Sequence, residues 1–207
     1  MSSSIPVIDI APAIAGKPHE GVVREIRHAC EDLGFLQVVG HGVDLSLLDR
    51  TYDAKDLLIS QSEERKMDWV CQTHPFRGWK HYTADDGPTI QERFQVCNID
   101  NPQAATAAGI DSQWVDYFHP NVWPTLSGFQ PAVRSCFNAT RKLGFTVMSL
   151  FAEALDFSPD FFAPMLQTDV TCFAMNVYPG DLTSPAIGEP RVVLPAHGDS
   201  GTLTILH

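Results

Sequence analysis

Basic residues are scarce in this chain. Of its 207 residues, 14 are Lys or Arg and 25 are Asp or Glu, so the formal net charge is -11 at pH 7. Proteins that bind nucleic acids or anionic membrane surfaces present basic patches to them. The charge balance therefore argues against both kinds of partner. It favours a soluble protein without indicating any particular activity.

Paired cysteine motifs and long apolar runs are also missing. No Cys-x-x-Cys occurs, which argues against a zinc site or a dithiol motif. An odd number of widely spaced cysteines is typical of small core residues in a reducing cytoplasm. The N-terminus lacks the apolar segment of a signal peptide, and no run is long enough to cross a bilayer. We therefore expect a soluble, cytoplasmic protein. Its five cysteines are Cys30, Cys71, Cys97, Cys136 and Cys172.

Length and apolar periodicity predict an α+β protein. A chain of 207 residues with 44% apolar content can form one domain of good size, or one and a part. Runs rich in β-branched residues predict strands, and apolar residues at helical spacing predict helices. The predicted strands are 5–10, 35–39 and 171–179, and the predicted helices are about 18–33, 46–59 and 131–155.

The sequence also gives specific predictions for several local features. The strand at 35–39 is expected to be buried, and Ser46 is expected to cap the helix that follows. The charged run 63–66 is expected to form a solvated helical turn. Residues 69–87 have no regular pattern, and 101–113, which lack an aromatic residue, are expected to form an exposed loop.

The most informative stretch is the last one, 191–207. Its apolar runs at 192–194 and 203–206 predict two strands around a glycine-containing bend. Between them lie His197 and Asp199, and side chains two apart on a strand point to the same face. They could supply two of the three ligands of the 2-His-1-carboxylate triad that holds Fe(II). About one His-x-acidic tripeptide is expected by chance, so the indication depends on this strand and glycine context.

Residues 197–206, His-Gly-Asp-Ser-Gly-Thr-Leu-Thr-Ile-Leu, resemble the His-x-Asp-x-Gly-x-Leu-Thr-x-Leu motif of the Fe(II)/2-oxoglutarate-dependent dioxygenases, in the isopenicillin N synthase-like branch. Residues 34–43 resemble its Gly-Phe-x-x-Val-x-Asn/Gly-His-Gly-Val element, and 121–124 its Asn-x-Trp-Pro. The resemblance implies a double-stranded β-helix, or jelly roll, backed by helices. Residues 1–100 would be the helix-rich N-terminal region of the family. Residues 101–207 would be the first part of the catalytic core with its backing helix, in one compact unit.

The resemblance implies roles for single residues of the site. His197 and Asp199 would be iron ligands. Residues 171–179 resemble Leu-x-x-Asn-x-Tyr-Pro, in which the Asn and the Tyr help to hold 2-oxoglutarate, and this chain has Asn176 and Tyr178 there. An amide and a phenol can hydrogen-bond an anion without competing for the metal. The alternative is an Asn and a Tyr whose hydrogen bonds are simply satisfied at a strand end.

Another part of the chain resembles the family's pocket mouth, which helps to set substrate choice. Residues 76–79 are similar to its Arg-Gly-Tyr element, and 91–97 to its Lys-Glu-x-Phe-x-x-Gly strand. Ordinary packing of a surface loop is an equally good interpretation of this region. The candidates for substrate contact are Arg77, Trp79, His81, Tyr82 and Phe94.

The function implied by the resemblance is oxidation of a small organic molecule by O2 at mononuclear Fe(II), with 2-oxoglutarate as co-substrate. An oxidase of the same fold that does without 2-oxoglutarate and a non-catalytic partner subunit are the alternatives. The residues do not separate hydroxylation, desaturation and cyclisation, because these reactions differ in how the substrate is placed. They indicate neither the substrate nor the oligomeric state.

Two parts of the family's site have no counterpart in residues 1–207. These are the second His ligand, some tens of residues after the first, and an Arg-x-Ser that grips the 2-oxoglutarate carboxylate. His207 is too close to His197 to be that ligand, and His41 is expected to be a structural turn residue. We therefore expect this chain to be part of a longer protein whose further segment supplies the second His and the Arg.

Overall fold

The computed structural model describes residues 4–74, 76–83, 89–178, 197–199 and 201–207. Helices and two small sheets occur along these residues, which confirms the predicted α+β class. The elements in chain order are β1 (Val7–Asp9), α1 (Ala11–Ile14), α2 (Glu20–Asp32), β2 (Gln37–Val39), α3 (Leu45–Ile59), α4 (Glu63–Met67), β3 (Gly78–Thr83), β4 (Thr89–Cys97), α5 (Pro102–Ala107), a 3-10 turn (Val115–Tyr117), α6 (Phe129–Ala154) and β5 (Cys172–Val177).

One compact unit comprises Met1–Leu48, Ser135–Asp169 and Leu203–His207. Its strands β1 and β2 are parallel, and a parallel pair needs a crossover connection, which α1 and α2 provide. Apolar stripes of α2 and of the later turns of α6 form the core together with β1. The buried members of this core are Ile8, Ile10, Val22, Ile26, Ala29, Leu143, Val147, Leu150 and Ala154.

The other unit comprises Asp49–Arg134 and Val170–Thr202. Strands β3, β4 and β5 form an antiparallel sheet with β4 in the middle. Trp79 lies opposite Phe94, and Phe94 lies opposite Met175. All three are buried, and Phe129 packs edge-on against Phe94 with ring centroids 5.1 Å apart. One face of this sheet is therefore the core of the unit.

Glycine is required where β3 begins. Gly78 has a φ of 72°, in the left-handed region, and a Cβ there would collide with the backbone oxygen of Trp69. The close approach allows the backbone N–H of Trp79 to donate to the oxygen of Trp69 at 2.8 Å. This contact ties the start of β3 to the residues that follow α4.

Four elements were not expected from the sequence, namely α1, β3, α5 and the 3-10 turn. Strand β3 lies within 69–87, where no regular pattern is visible, and its ladder with β4 stabilises it. The predicted loop at 101–113 contains helix α5. Asn101 caps this helix by accepting the N–H of Ala104 at 2.7 Å, and Pro102 occupies the first turn. The prediction of a loop was wrong because it relied on the lack of aromatic residues and overlooked this cap.

Three local expectations are corrected. Asp44, not Ser46, caps α3, because its Oδ1 accepts the N–H of Ser46 at 2.9 Å. The run 63–66 does form a helical turn in α4, but Lys66 is buried. Strand β2 is not buried throughout, since alternation leaves Val39 45% exposed.

Of the two strands expected around the His-x-Asp motif, the one at 192–194 lies outside the described part of the chain. Residues 203–206 are described and do not form a strand, so that prediction was wrong. Leu203 instead packs against the core of the unit that contains α2.

The cysteines differ from the expectation that all are unpaired core residues. Cys97 of β4 and Cys172 of β5 lie opposite each other and form a disulfide. Cys136 is buried as expected, whereas Cys30 is exposed. The pairing was not predictable, because 75 residues separate the two cysteines and only the strand register brings them together.

No helix within the described ranges is both long and apolar enough to cross a membrane. Even α6, the longest at 26 residues, carries charged side chains along its length. The predicted division at residue 100 follows family regions and stays a prediction, since each unit found here draws on separate stretches of the chain.

We expect Gly78→Ala to destabilise the protein more than Gly109→Ala. Gly109 has a φ of 77° and open space where a Cβ would lie, so its replacement adds backbone strain alone, about 1–2 kcal/mol. At Gly78 the collision adds to the strain, and we expect a cost of roughly 3 kcal/mol. Urea unfolding of both variants measures the difference, and equal losses would contradict the close approach at Trp69.

We also expect only three cysteines to react with iodoacetamide when the protein is unfolded without a reductant. The free thiols are Cys30, Cys71 and Cys136, whereas Cys97 and Cys172 are paired. After reduction all five should react, and mass spectrometry counts the adducts. As a control, Cys97→Ser should give the same count with and without reduction. Five adducts on the unreduced wild type would disprove the disulfide.

Candidate functional site

The sheet β3-β4-β5 has a second face that is polar. Side chains alternate along a strand, and residues opposite each other in the ladder share a face. The pairs Lys80–Arg93, Tyr82–Gln91 and Arg93–Asn176 therefore project away from the core that contains Phe94. We call this surface the polar face; its members are Lys80, Tyr82, Gln91, Arg93, Gln95 and Asn176.

The two residues expected to hold 2-oxoglutarate are brought together by Gln91. The side-chain Nε2 of Gln91 donates to Oδ1 of Asn176 at 3.1 Å and to the hydroxyl of Tyr178 at 3.3 Å. Asn176 and Tyr178 are exposed, so a ligand can reach both. Tyr178 thus adjoins the polar face. Their role towards a co-substrate stays a prediction.

The charges of the polar face differ from those of the whole chain. Its six members include two cations, Lys80 and Arg93, and no carboxylate, although the chain has a net charge of -11. The ammonium of Lys80 lies 4.8 Å from the ring centroid of Tyr82. The remaining members are neutral and can hydrogen-bond. This combination suits an anionic ligand.

Two of the substrate-contact candidates belong to the core. Trp79 is 2% exposed and Phe94 is 1% exposed, both on the face of the sheet opposite the polar face. Tyr82 is part of the polar face and is partly exposed. His81 lies near Glu63, with Nδ1 and Oε1 3.4 Å apart. The four residues thus do not form one surface, and Tyr82 is the one that accompanies Asn176.

Arg77 is buried in the unit that contains the sheet. Its Nη1 donates to the backbone oxygen of Phe76 at 2.9 Å, whereas its Nε has no acceptor among the described residues. Burial lowers the pKa of the Arg77 guanidinium. The same guanidinium adds to the effect of burial in lowering the pKa of His74. A substrate role for Arg77 stays a prediction.

Glu92 organises the core side of the sheet. Its Oε2 accepts from Nζ of Lys66 at 2.8 Å and from Nε1 of Trp79 at 2.8 Å. The side chains of Lys66 and Glu92 are 8% and 15% exposed, so the ion pair is largely shielded from water. Removal of one partner of such a pair is strongly destabilising. The glutamate of the 91–97 motif therefore attaches α4 to the sheet.

His197 and Asp199 face each other. Nε2 of His197 lies 3.5 Å from Oδ1 of Asp199, and both side chains are about half exposed. One imidazole and one carboxylate at this separation fit two of the three donors of a mononuclear Fe(II) site. The described part of the chain contains no cluster of three or more metal-binding side chains.

His41 has the structural role expected for it. Its Nδ1 accepts the backbone N–H of Val43 at 3.1 Å, which closes a turn after β2. Gly40 precedes it with a φ of 66°, and a Cβ at that position would collide with the side chain of Asp9. The glycine-histidine turn is thus explained by packing.

A family model described as the N-terminal region of non-haem dioxygenases in morphine synthesis matches residues 5–126. The chain belongs to this family, and with it to the Fe(II)/2-oxoglutarate-dependent dioxygenases. Among curated relatives, it is 27% identical to the 2-oxoglutarate-dependent dioxygenase thnC of Trichoderma harzianum, over 98% of this chain and 63% of the relative. The chain therefore spans less than two thirds of that relative's length.

Solved structures show the same fold. A 2OG-Fe(II) oxygenase family protein from Caulobacter crescentus superposes with a TM-score of 0.72 at 19% identity, covering 86% of this chain and 57% of that one. The dioxygenase for auxin oxidation in rice superposes with a TM-score of 0.60 at 22% identity, covering 84% and 51%. At these identities the likeness concerns the fold alone.

Sequence reasoning missed the polar face. Gln91, Arg93 and Gln95 alternate with the apolar Phe94 and Val96, which is the period of a strand with one polar side. That signal was visible once 91–97 was identified as a strand. The sequence does not show which residues of β3 and β5 lie beside them, because that depends on the register in which the strands pair.

Proposed function

We propose that the protein is an Fe(II)- and 2-oxoglutarate-dependent oxygenase that oxidises a small organic molecule. The observation that carries this proposal is the facing pair of His197 and Asp199, 3.5 Å apart, in a stretch that resembles the family's metal motif. Curated relatives are named as 2-oxoglutarate-dependent dioxygenases, which supports the same reaction class. A cytoplasmic location, without a nucleic acid or membrane partner, stays a prediction from composition.

His197 Nε2 and Asp199 Oδ1 would hold the iron. When bound, the iron supplies the site at which O2 is activated for oxidation of the substrate. The protein would contribute an imidazole and a carboxylate as donors, and the 2-His-1-carboxylate type of site leaves positions open for ligands. A second histidine would be the third protein donor of such a site.

Asn176 and Tyr178 would hold 2-oxoglutarate. Both groups can donate hydrogen bonds to a carboxylate, and Gln91 keeps them oriented from the neighbouring strand. A side chain that already accepts a hydrogen bond from its neighbour loses less rotamer freedom when the ligand binds. Gln91 is accordingly a positioning residue for the pair.

The sheet β3-β4-β5 would be part of a jelly roll. Its antiparallel order and its one buried face are those of a sheet layer packed against helices. The likeness to 2OG-Fe(II) oxygenase structures supports this assignment.

Replacement of either metal ligand should weaken Fe(II) binding. We expect His197→Ala and Asp199→Ala each to lower the Fe(II) affinity of the whole protein at least about tenfold, since even loss of an outer-shell partner costs that much. His28→Ala, which removes an exposed histidine of α2, is the control and should bind as the wild type does. Anaerobic equilibrium dialysis measures the affinity. Equal binding by all four proteins would remove this pair from the metal site.

Tyr178→Phe should weaken 2-oxoglutarate binding. The change removes one hydroxyl hydrogen bond to a charged acceptor, worth about 1.5 kcal/mol or more, so the half-saturating concentration should rise roughly tenfold. Tyr117→Phe, at an exposed tyrosine of the 3-10 turn, is the matched control. Co-substrate titration of the turnover rate measures both. An unchanged value in Tyr178→Phe would exclude the hydroxyl from the site.

A further inference from the structure

Arg93 occupies the centre of the polar face. It lies on the middle strand, opposite Lys80 on one side and opposite Asn176 on the other. Side chains of directly opposite residues start roughly 4.5–5.5 Å apart, which is well within the reach of an arginine. A ligand held by Asn176 therefore lies close to the Arg93 guanidinium.

The side chain of Arg93 is not fully satisfied. Its Nε is buried and has no hydrogen-bond acceptor among the described residues. Glu92, the nearest carboxylate in sequence, projects from the other face, where Lys66 binds it at 2.8 Å. A buried donor without a partner destabilises the folded protein, and a charged donor does so more strongly. Folding alone gives no reason to keep an arginine there.

Solvent exposure decreases along the polar face from one side of Arg93 to the other. Tyr178, at one end, is 43% exposed, whereas Gln95, at the other, is 6% exposed. Oε1 of Gln95 is a second buried polar atom that lacks a partner among the described residues. The polar face is thus accessible to solvent at Tyr178 and buried at Gln95, and Arg93 lies between these two ends.

We propose that Arg93 binds a carboxylate of the organic substrate, so that the enzyme acts on a small organic acid. This inference rests on the proposed function, because it places the substrate beside the Asn176 and Tyr178 pair. A guanidinium presents a planar fork of N–H donors that matches a carboxylate. The polar face has no carboxylate of its own, so an acidic ligand meets no repulsion there.

Co-substrate and substrate are the two possible sources of such a carboxylate. Asn176 and Tyr178 are already oriented by Gln91 on the accessible side of Arg93. Arg93 and Gln95 extend the face beyond them towards the shielded end. Because the proposed function assigns Asn176 and Tyr178 to 2-oxoglutarate, Arg93 is left for the carboxylate of the second molecule, the substrate.

The Nε–H resonance of Arg93 in a 15N NMR spectrum tests the proposal directly. The signal is assigned by its loss in Arg93→Gln and followed in the metal-free protein, so the result does not depend on iron. The probes are two acid and amide pairs, benzoate with benzamide and hexanoate with hexanamide. We expect both acids to shift the signal, and both amides to leave it in place. An unmoved signal, or equal shifts by acid and amide, would overturn the proposal.

The affinity of arginine variants for the two acids gives an independent test of the proposal. Arg93→Gln should lower the affinity for the acids at least about tenfold, since a charge-assisted hydrogen bond is lost. Arg93→Lys keeps the positive charge but lacks the planar N–H donors of a guanidinium, so it should cause a smaller loss of affinity. Arg24→Gln removes an exposed cation of α2 and should bind the acids normally. Circular dichroism of each variant reports whether the fold is retained, and unaltered acid binding by a folded Arg93→Gln would refute the role of Arg93.

Addition of 2-oxoglutarate distinguishes the two sources. If 2-oxoglutarate alone shifts the Arg93 signal and blocks the acids, the carboxylate belongs to the co-substrate and the proposal is wrong. If the acids still bind when 2-oxoglutarate is saturating, Arg93 serves the substrate. Failure of Fe(II) binding would affect the proposed function and leave this result unchanged.

Discussion

The pairing of β4 with a strand on each side is the interaction on which the site depends. Because side chains alternate along β4, one register places Phe94 in the core and Arg93 on the polar face. A shift of one residue would exchange the two faces. The same register sets Arg93 beside Asn176 and brings Cys97 opposite Cys172. Packing and recognition are thus two consequences of one ladder.

Several contacts hold this register. Gly78 allows β3 to begin against the backbone of Trp69, and Glu92 binds Lys66 and Trp79 beneath the sheet. A charged pair that is shielded from water has strict geometric requirements, since each ion must keep its partner. We infer that these contacts explain why a glutamate follows the first residue of the 91–97 motif. The residue is structural, although it lies one position from Arg93.

Local chemistry accounts for what could be predicted. The apolar stripe of α6 was readable because helical spacing repeats within a few residues, and Val133 and Val147 are buried as that stripe requires. Helix α5 was missed although its cap was present at Asn101. Strand β3 had no such local signal, because its conformation depends on a ladder with residues that lie further along the chain.

The sequence by itself determined the family and the α+β class and indicated the candidate site residues, since the motifs that contain His197, Asn176 and Tyr178 are contiguous. Only the tertiary structure decided which side chains share a surface. Trp79 and Tyr82 are both in β3, yet one is in the core and the other beside Gln91. The physical reason is that a strand has two faces, and pairing with distant strands determines what lies on each.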